Sequence, residues 1–202
     1  MERSLERLTR LAWVVSRAGT WLGGALLFLA SGIVGVEVIL RRFFNTSIPG
    51  TDELSGYAMA IGVAWSLGFA LLRRAHVRVD SLYVLLPKPI RAVLDIAGLL
   101  ALMAFFSLVT WYAWTAVWWR SFDVGTRSMS RLETPLWIPQ ALWGLGLLAF
   151  LLVALLLLVR SVLALVRGDA GRVQHLIGSR SALEETVAEV DDASARLAGD
   201  AR

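Results

Sequence analysis

The chain has 202 residues, 57% of them hydrophobic and 18% charged, with a formal net charge of +4 and a mean hydropathy of +0.64. A soluble domain averages roughly 45–50% apolar and about 25% charged residues, so this composition is displaced toward lipid and excludes a sizeable soluble enzyme. With no cysteine and only two histidines, His76 and His175, disulfide frameworks, thiolate metal sites, iron–sulfur ligation and a haem held between two spans are excluded, and no cofactor or metal site is expected.

Residues 1–17 carry Arg3, Arg7, Arg10 and Arg17, with Leu5, Leu8, Ala12 and Val15 at helical spacing. One face is apolar and the other basic, which predicts a short amphipathic helix lying on the membrane surface. A cleaved signal peptide is the competing reading. The apolar stretch from Ala18 exceeds the usual 7–15 residues, and no A-x-A site closes it, so an uncleaved first helix is expected.

Four runs then follow without a charge: 18–36, 54–72, 96–119 and 134–159, of 19, 19, 24 and 26 residues. About 18 apolar residues are enough to cross ~30 Å of hydrocarbon as a helix. The predicted fold is therefore all-α, an integral membrane four-helix bundle over residues 18–165, with spans at about 18–40, 54–72, 93–119 and 135–159. Residues 166–202 form a cytoplasmic acidic tail.

Arginine and lysine set the orientation. Twelve lie near the ends of spans at the N-terminus, in the second connection and at the start of the tail, against five in the first and third connections. That bias places both termini in the cytoplasm, an N-in/C-in protein. Trp111, Trp114, Trp118 and Trp119 close the third span and Trp137 and Trp143 open the fourth, as an aromatic belt at the outer interface does. Cations beside spans meet anionic head groups, so membrane lipid is an expected partner and nucleic acid is not.

Ala58, Gly62 and Ser66 recur every fourth residue, as do Gly19 and Gly23, and small residues at this spacing let helices approach closely. Spacing alone leaves open whether the approaching helix belongs to this bundle or to a partner. In the tail, Ser181 and Glu184 stand at capping-box spacing. Leu183, Val187, Val190 and Leu197 follow on one face, which predicts a cytoplasmic C-terminal helix.

An ionisable group inside a span is a functional candidate by default. Glu37 qualifies, and Arg41 lies four residues on, where both side chains share one helical face. A neutralised structural pair and a proton- or cation-binding carboxylate are the two readings. In the first connection, Asn45 through Gly50 is turn-forming. Thr51 or Asp52 is expected to cap the second helix, with Asp52 and Glu53 in its first turn where the dipole favours anions. His76 and Asp80 are too isolated for a metal site, and no nucleotide-binding or catalytic motif is present.

Three stretches resemble the DctQ-type small membrane subunit of TRAP (tripartite ATP-independent periplasmic) transporters. They are Glu37-Val38-Ile39-Leu40-Arg41-Arg42-Phe43-Phe44-Asn45 with Asp52-Glu53-Leu54 after it, His76-Val77-Arg78-Val79-Asp80, and Pro135-Leu136-Trp137-Ile138-Pro139. The resemblance covers about residues 15–165. It implies a non-enzymatic scaffold in the bacterial inner membrane. Its partners are a large permease that carries substrate and sodium sites and a periplasmic solute-binding protein, and the solute is an organic acid. It also implies that Glu37, Arg41, Arg42, Asn45, Asp52, Glu53, His76, Arg78, Asp80, Trp137 and Pro139 are structural or partner contacts, with no catalytic or substrate-binding residue in this chain. Many relatives have a tryptophan shortly before the acidic pair, where Gly50 stands here, so a partner contact made there is changed or lost. The alternative function is a small four-helix proton-coupled cation exporter that uses Glu37.

Overall fold

The computed structural model describes residues 2–75, 86–178, 190 and 194. His76, Arg78 and Asp80, and nearly all of the helix expected from Ser181, lie outside them. The described residues form α1 (Glu2–Phe44), α2 (Thr51–Leu72), α3 (Lys88–Tyr112), a π-helical segment (Ala113–Trp118), α4 (Trp119–Val124), α5 (Trp137–Val166) and α6 (Ala170–Ile177). Among them the only non-helical pairing is an isolated bridge between Arg127 and Pro135. Four helices are long and apolar enough to cross a membrane: Leu5–Phe44, Thr51–Leu72, Lys88–Val124 and Trp137–Val166. The chain is a multi-pass membrane protein.

The expected surface helix and the first span are one unbroken helix of 43 residues. No proline interrupts it, and the glycine nearest the expected break, Gly19, is held against Trp65 of α2. The other helices also outrun their charge-free stretches. A charge-free run reports the apolar thickness, whereas backbone hydrogen bonding carries a helix on through Lys88 and Arg160 into the flanks.

Helix α1 runs antiparallel to α2. Of the five buried positions among its described residues, Ser16, Gly23, Ala30 and Glu37 recur every seven residues and Gly19 lies between the first two, in keeping with the period of left-handed helix pairing. Between lipid-embedded helices apolar burial offers little driving force, and close packing of small residues takes its place. A Cβ at Gly62 would stand 3.1 Å from the Gly23 carbonyl oxygen, and one at Gly146 of α5 would stand 2.9 Å from Cβ of Ala64. The small-residue stripe in α2 is therefore occupied from within the bundle at Gly62.

The main apolar core lies between α2, α3, α5 and α6, around Leu71, Ala92, Leu99, Phe150, Val153 and Leu157. Phe106 packs on Phe150 with ring centroids 4.7 Å apart. The π-helical segment places the Trp114 ring over Gly144, where a Cβ would meet ring atoms at 3.3 Å.

The start of the expected tail carries a helix of its own, α6. Gly168, at φ 76°, ends α5, and the Asp169 side chain caps the next helix by accepting from the Arg172 N–H at 2.8 Å. Val173 and Ile177 are then buried in the core.

Candidate docking site

The first and third connections lie at the same end of the bundle, because α1 and α4 arrive there and α2 and α5 leave. Asn45, at φ 51°, ends α1 in the left-handed conformation that asparagine tolerates. The chain then turns back. Ser47 Oγ donates to Glu37 Oε1 at 3.0 Å, and the Arg41 guanidinium bonds the same oxygen. The Glu37 side chain is 6% exposed while that of Arg41 is 64% exposed. Glu37, Arg41 and Ser47 thus form one cluster that closes the end of α1 on its following turn.

Helix α2 starts differently from the expectation. Neither Thr51 nor Asp52 caps it. Gly50 occupies the cap position at φ 81° with no side-chain bond, and Thr51 Oγ1 donates back to the Ile48 carbonyl at 3.0 Å. The cap moves one residue earlier because the left-handed turn is available to glycine without a Cβ penalty. Gly50 also receives the side chain of Leu132, and a Cβ there would stand 2.1 Å from Leu132 Cδ1. The third connection therefore packs directly on the start of α2.

Glu53 ties the two connections together. Its Oε2 accepts from Ser128 Oγ at 2.5 Å and from Ser130 Oγ, and its Oε1 accepts from the Tyr57 hydroxyl. The serines are themselves fixed, since Ser130 N–H donates to Ser128 Oγ at 3.0 Å and Ser128 N–H to the Thr134 carbonyl at 2.9 Å. Asp52, one residue earlier, is exposed, as is Arg42. Trp137 opens α5 and packs edge-on to Phe122 at 5.9 Å, and Pro139 is buried in the first turn.

Of the residues singled out in the sequence, Glu37 is brought together with Arg41, and Glu53 with the third connection, while Asn45 contributes the left-handed turn that ends α1. Arg42 and Asp52 face outward. Tyr57, Ser47, Ser128, Ser130 and Leu132 were not anticipated. Ser47 was within reach of local reading, as a hydroxyl in the turn after Glu37. Donors engage Oε1 of Glu37 and both carboxylate oxygens of Glu53, so the geometry is that of structural ties, which set the shape of one face of the bundle.

Residues 30–164 match the sequence pattern of the DctQ component of tripartite ATP-independent periplasmic transporters. The chain belongs to the DctQ family. The matched region holds both carboxylate clusters, the second and third membrane-crossing segments and nearly all of the fourth, while α1 enters it only from residue 30 and all of α6 lies outside it. Neither a curated protein nor a solved structure matches the chain. Membership makes it the small membrane component of a transporter that works with a large permease and a solute-binding protein, and a transporter component rather than an enzyme.

Proposed function

We propose that this DctQ chain scaffolds the large permease in the bacterial inner membrane and helps receive a periplasmic solute-binding protein during ion-gradient-driven uptake of an organic acid. Both termini lie in the cytoplasm and the joined connections face the periplasm, in keeping with the distribution of arginine at the span ends. The observation that carries this reading is the Glu53 tie to Ser128 and Ser130. It turns two separate connections into one preformed face, and preorganisation is what a docking surface needs to limit the entropy lost on binding. Glu37 supports the same reading, since its carboxylate is held by Arg41 and Ser47 and serves as an anchor in place of a mobile proton site.

Affinity purification from native membranes tests the proposal. The chain is expected to bring down a much larger membrane protein, and sodium-driven uptake in liposomes is expected only with both membrane subunits and the binding protein present. Recovery of this chain solely as a homo-oligomer, or transport by it alone that Glu37→Gln abolishes, would overturn the scaffold role.

A further inference from the structure

At the opposite end of the bundle from the two connections, an open cavity of about 750 Å³ lies along α1 and the last turns of α2. Trp13, Arg17, Gly24, Phe28, Phe69 and Arg73 line it. Its floor is open: a Cβ on Gly24 would meet nothing within 4 Å. Phe28 stands out beside it at 82% exposure. From Trp13 to Phe28 the groove follows α1 for about 22 Å, more than the ~15 Å of a single leaflet's hydrocarbon.

The mouth of this groove is cationic. Helix α2 has 22 residues and so a length of about 33 Å, close to the ~30 Å hydrocarbon thickness. Arg73, the residue after it, stands at head-group depth. Its guanidinium lies 5.2 Å from the Trp13 ring centroid and 5.4 Å from that of Phe69. These contacts orient the cation without neutralising it. Among the described residues no carboxylate pairs with Arg73 or Arg17. Arg17 lies one helical turn deeper on α1, where a long side chain reaches back toward the interface.

We propose that this groove binds one anionic glycerophospholipid, its phosphate held between Arg17 and Arg73 and an acyl chain lying along Gly24 and Phe28. Charge complementarity selects the occupant. Two guanidiniums that no described carboxylate pairs line the mouth and match a phosphate in sign and in hydrogen-bonding capacity, and the trough below them matches a hydrocarbon chain. A second groove, between α1 and α5, is lined by residues such as Leu8 and Leu156, with no charged side chain in its lining among the described residues, and the arginines at its end lie beside Glu6. The inference depends on membrane insertion and not on the transporter role.

Native mass spectrometry of the delipidated full chain, titrated with phosphatidylglycerol, phosphatidylcholine or free glycerol phosphate, tests it. Phosphatidylglycerol is expected to be retained roughly tenfold better than phosphatidylcholine, and Arg17→Gln with Arg73→Gln to remove that preference. Gly24→Trp, which fills the trough with both arginines in place, is expected to weaken retention as well, while Arg42→Gln at the other end leaves it unchanged. Equal retention of both lipids by the unaltered chain and the variants would overturn the site. So would binding of glycerol phosphate as tight as that of the lipid. A benzophenone side chain in place of Phe28 is expected to crosslink to lipid in native membranes, and crosslinking to protein alone would assign the groove to a partner helix instead.

Discussion

Gly23 of α1 and Gly62 of α2 stand backbone against backbone, so close that a Cβ on Gly23 would fall 2.8 Å from the Gly62 carbonyl oxygen and 2.9 Å from its Cα. Neither neighbour is a side chain that can swing aside. Gly23→Ala is expected to push the helices apart at a cost of about 1–3 kcal/mol. Gly24→Ala, whose Cβ meets open space, is expected to have little effect. Thermal unfolding of the two variants in detergent measures the difference, and equal midpoints would show that the helix contact is loose.

Removing the Glu53 carboxylate should release the third connection. Glu53→Ala leaves Ser128 and Ser130 without their shared acceptor, a loss of about 1–3 kcal/mol for a satisfied charged group. Limited trypsin digestion reads this directly, because Arg127 and Arg131 lie in the freed segment and are exposed. Cleavage there is expected to quicken, and Ser128→Ala with Ser130→Ala to reproduce it. An unchanged digestion pattern would mean that the connection is held by other contacts.

The Glu37–Arg41 pair is expected to behave as one unit. Glu37→Gln and Arg41→Gln should each lower the yield of folded protein, and the double change should cost less than the two single costs added together. Ser47→Ala is expected to give a smaller loss, because it takes one neutral donor from a carboxylate that keeps its guanidinium. Additive costs for the first two variants would show that the contact contributes nothing to stability.

Gly50 joins two demands, a left-handed backbone and space for Leu132. Gly50→Ala is expected to cost about 1–2 kcal/mol in backbone strain, with the overlap against Leu132 added to it. Leu132→Ala in the same chain should relieve the overlap and leave the strain, giving partial recovery in a stability measurement. Full recovery would show that side-chain crowding alone was at stake. Gly50→Trp is expected to displace the third connection from this seat.

The number of membrane-crossing helices was legible because lipid demands long charge-free runs, and four such runs are visible by eye. Their ends were not, since a helix does not stop where hydrocarbon stops. Helix α6 had a readable signature in Gly168-Asp169 followed by Ala170, Val173 and Ile177, a stop, a cap and one apolar face. It was masked by the long apolar helix before it and the acidic stretch after it. The Glu37–Arg41 contact follows from helical spacing. The Glu53 tie does not, because Ser128 is 75 positions away and nothing local in either segment names the other. The demand for glycine at position 50 does not follow from the sequence either, because Leu132, which occupies the space a Cβ would take, is far along the chain.

Helix α1, at 43 residues, is about 64 Å long, roughly twice the apolar thickness it crosses. Near its start it is strapped to α5 by Arg160, whose Nη1 donates to Thr9 Oγ1 at 2.8 Å, and near its finish it is locked by Glu37. Held at both ends and seated on α2 between them, the rod has its tilt fixed by the bundle, so the position of either tip relative to the membrane plane is set by packing in the middle.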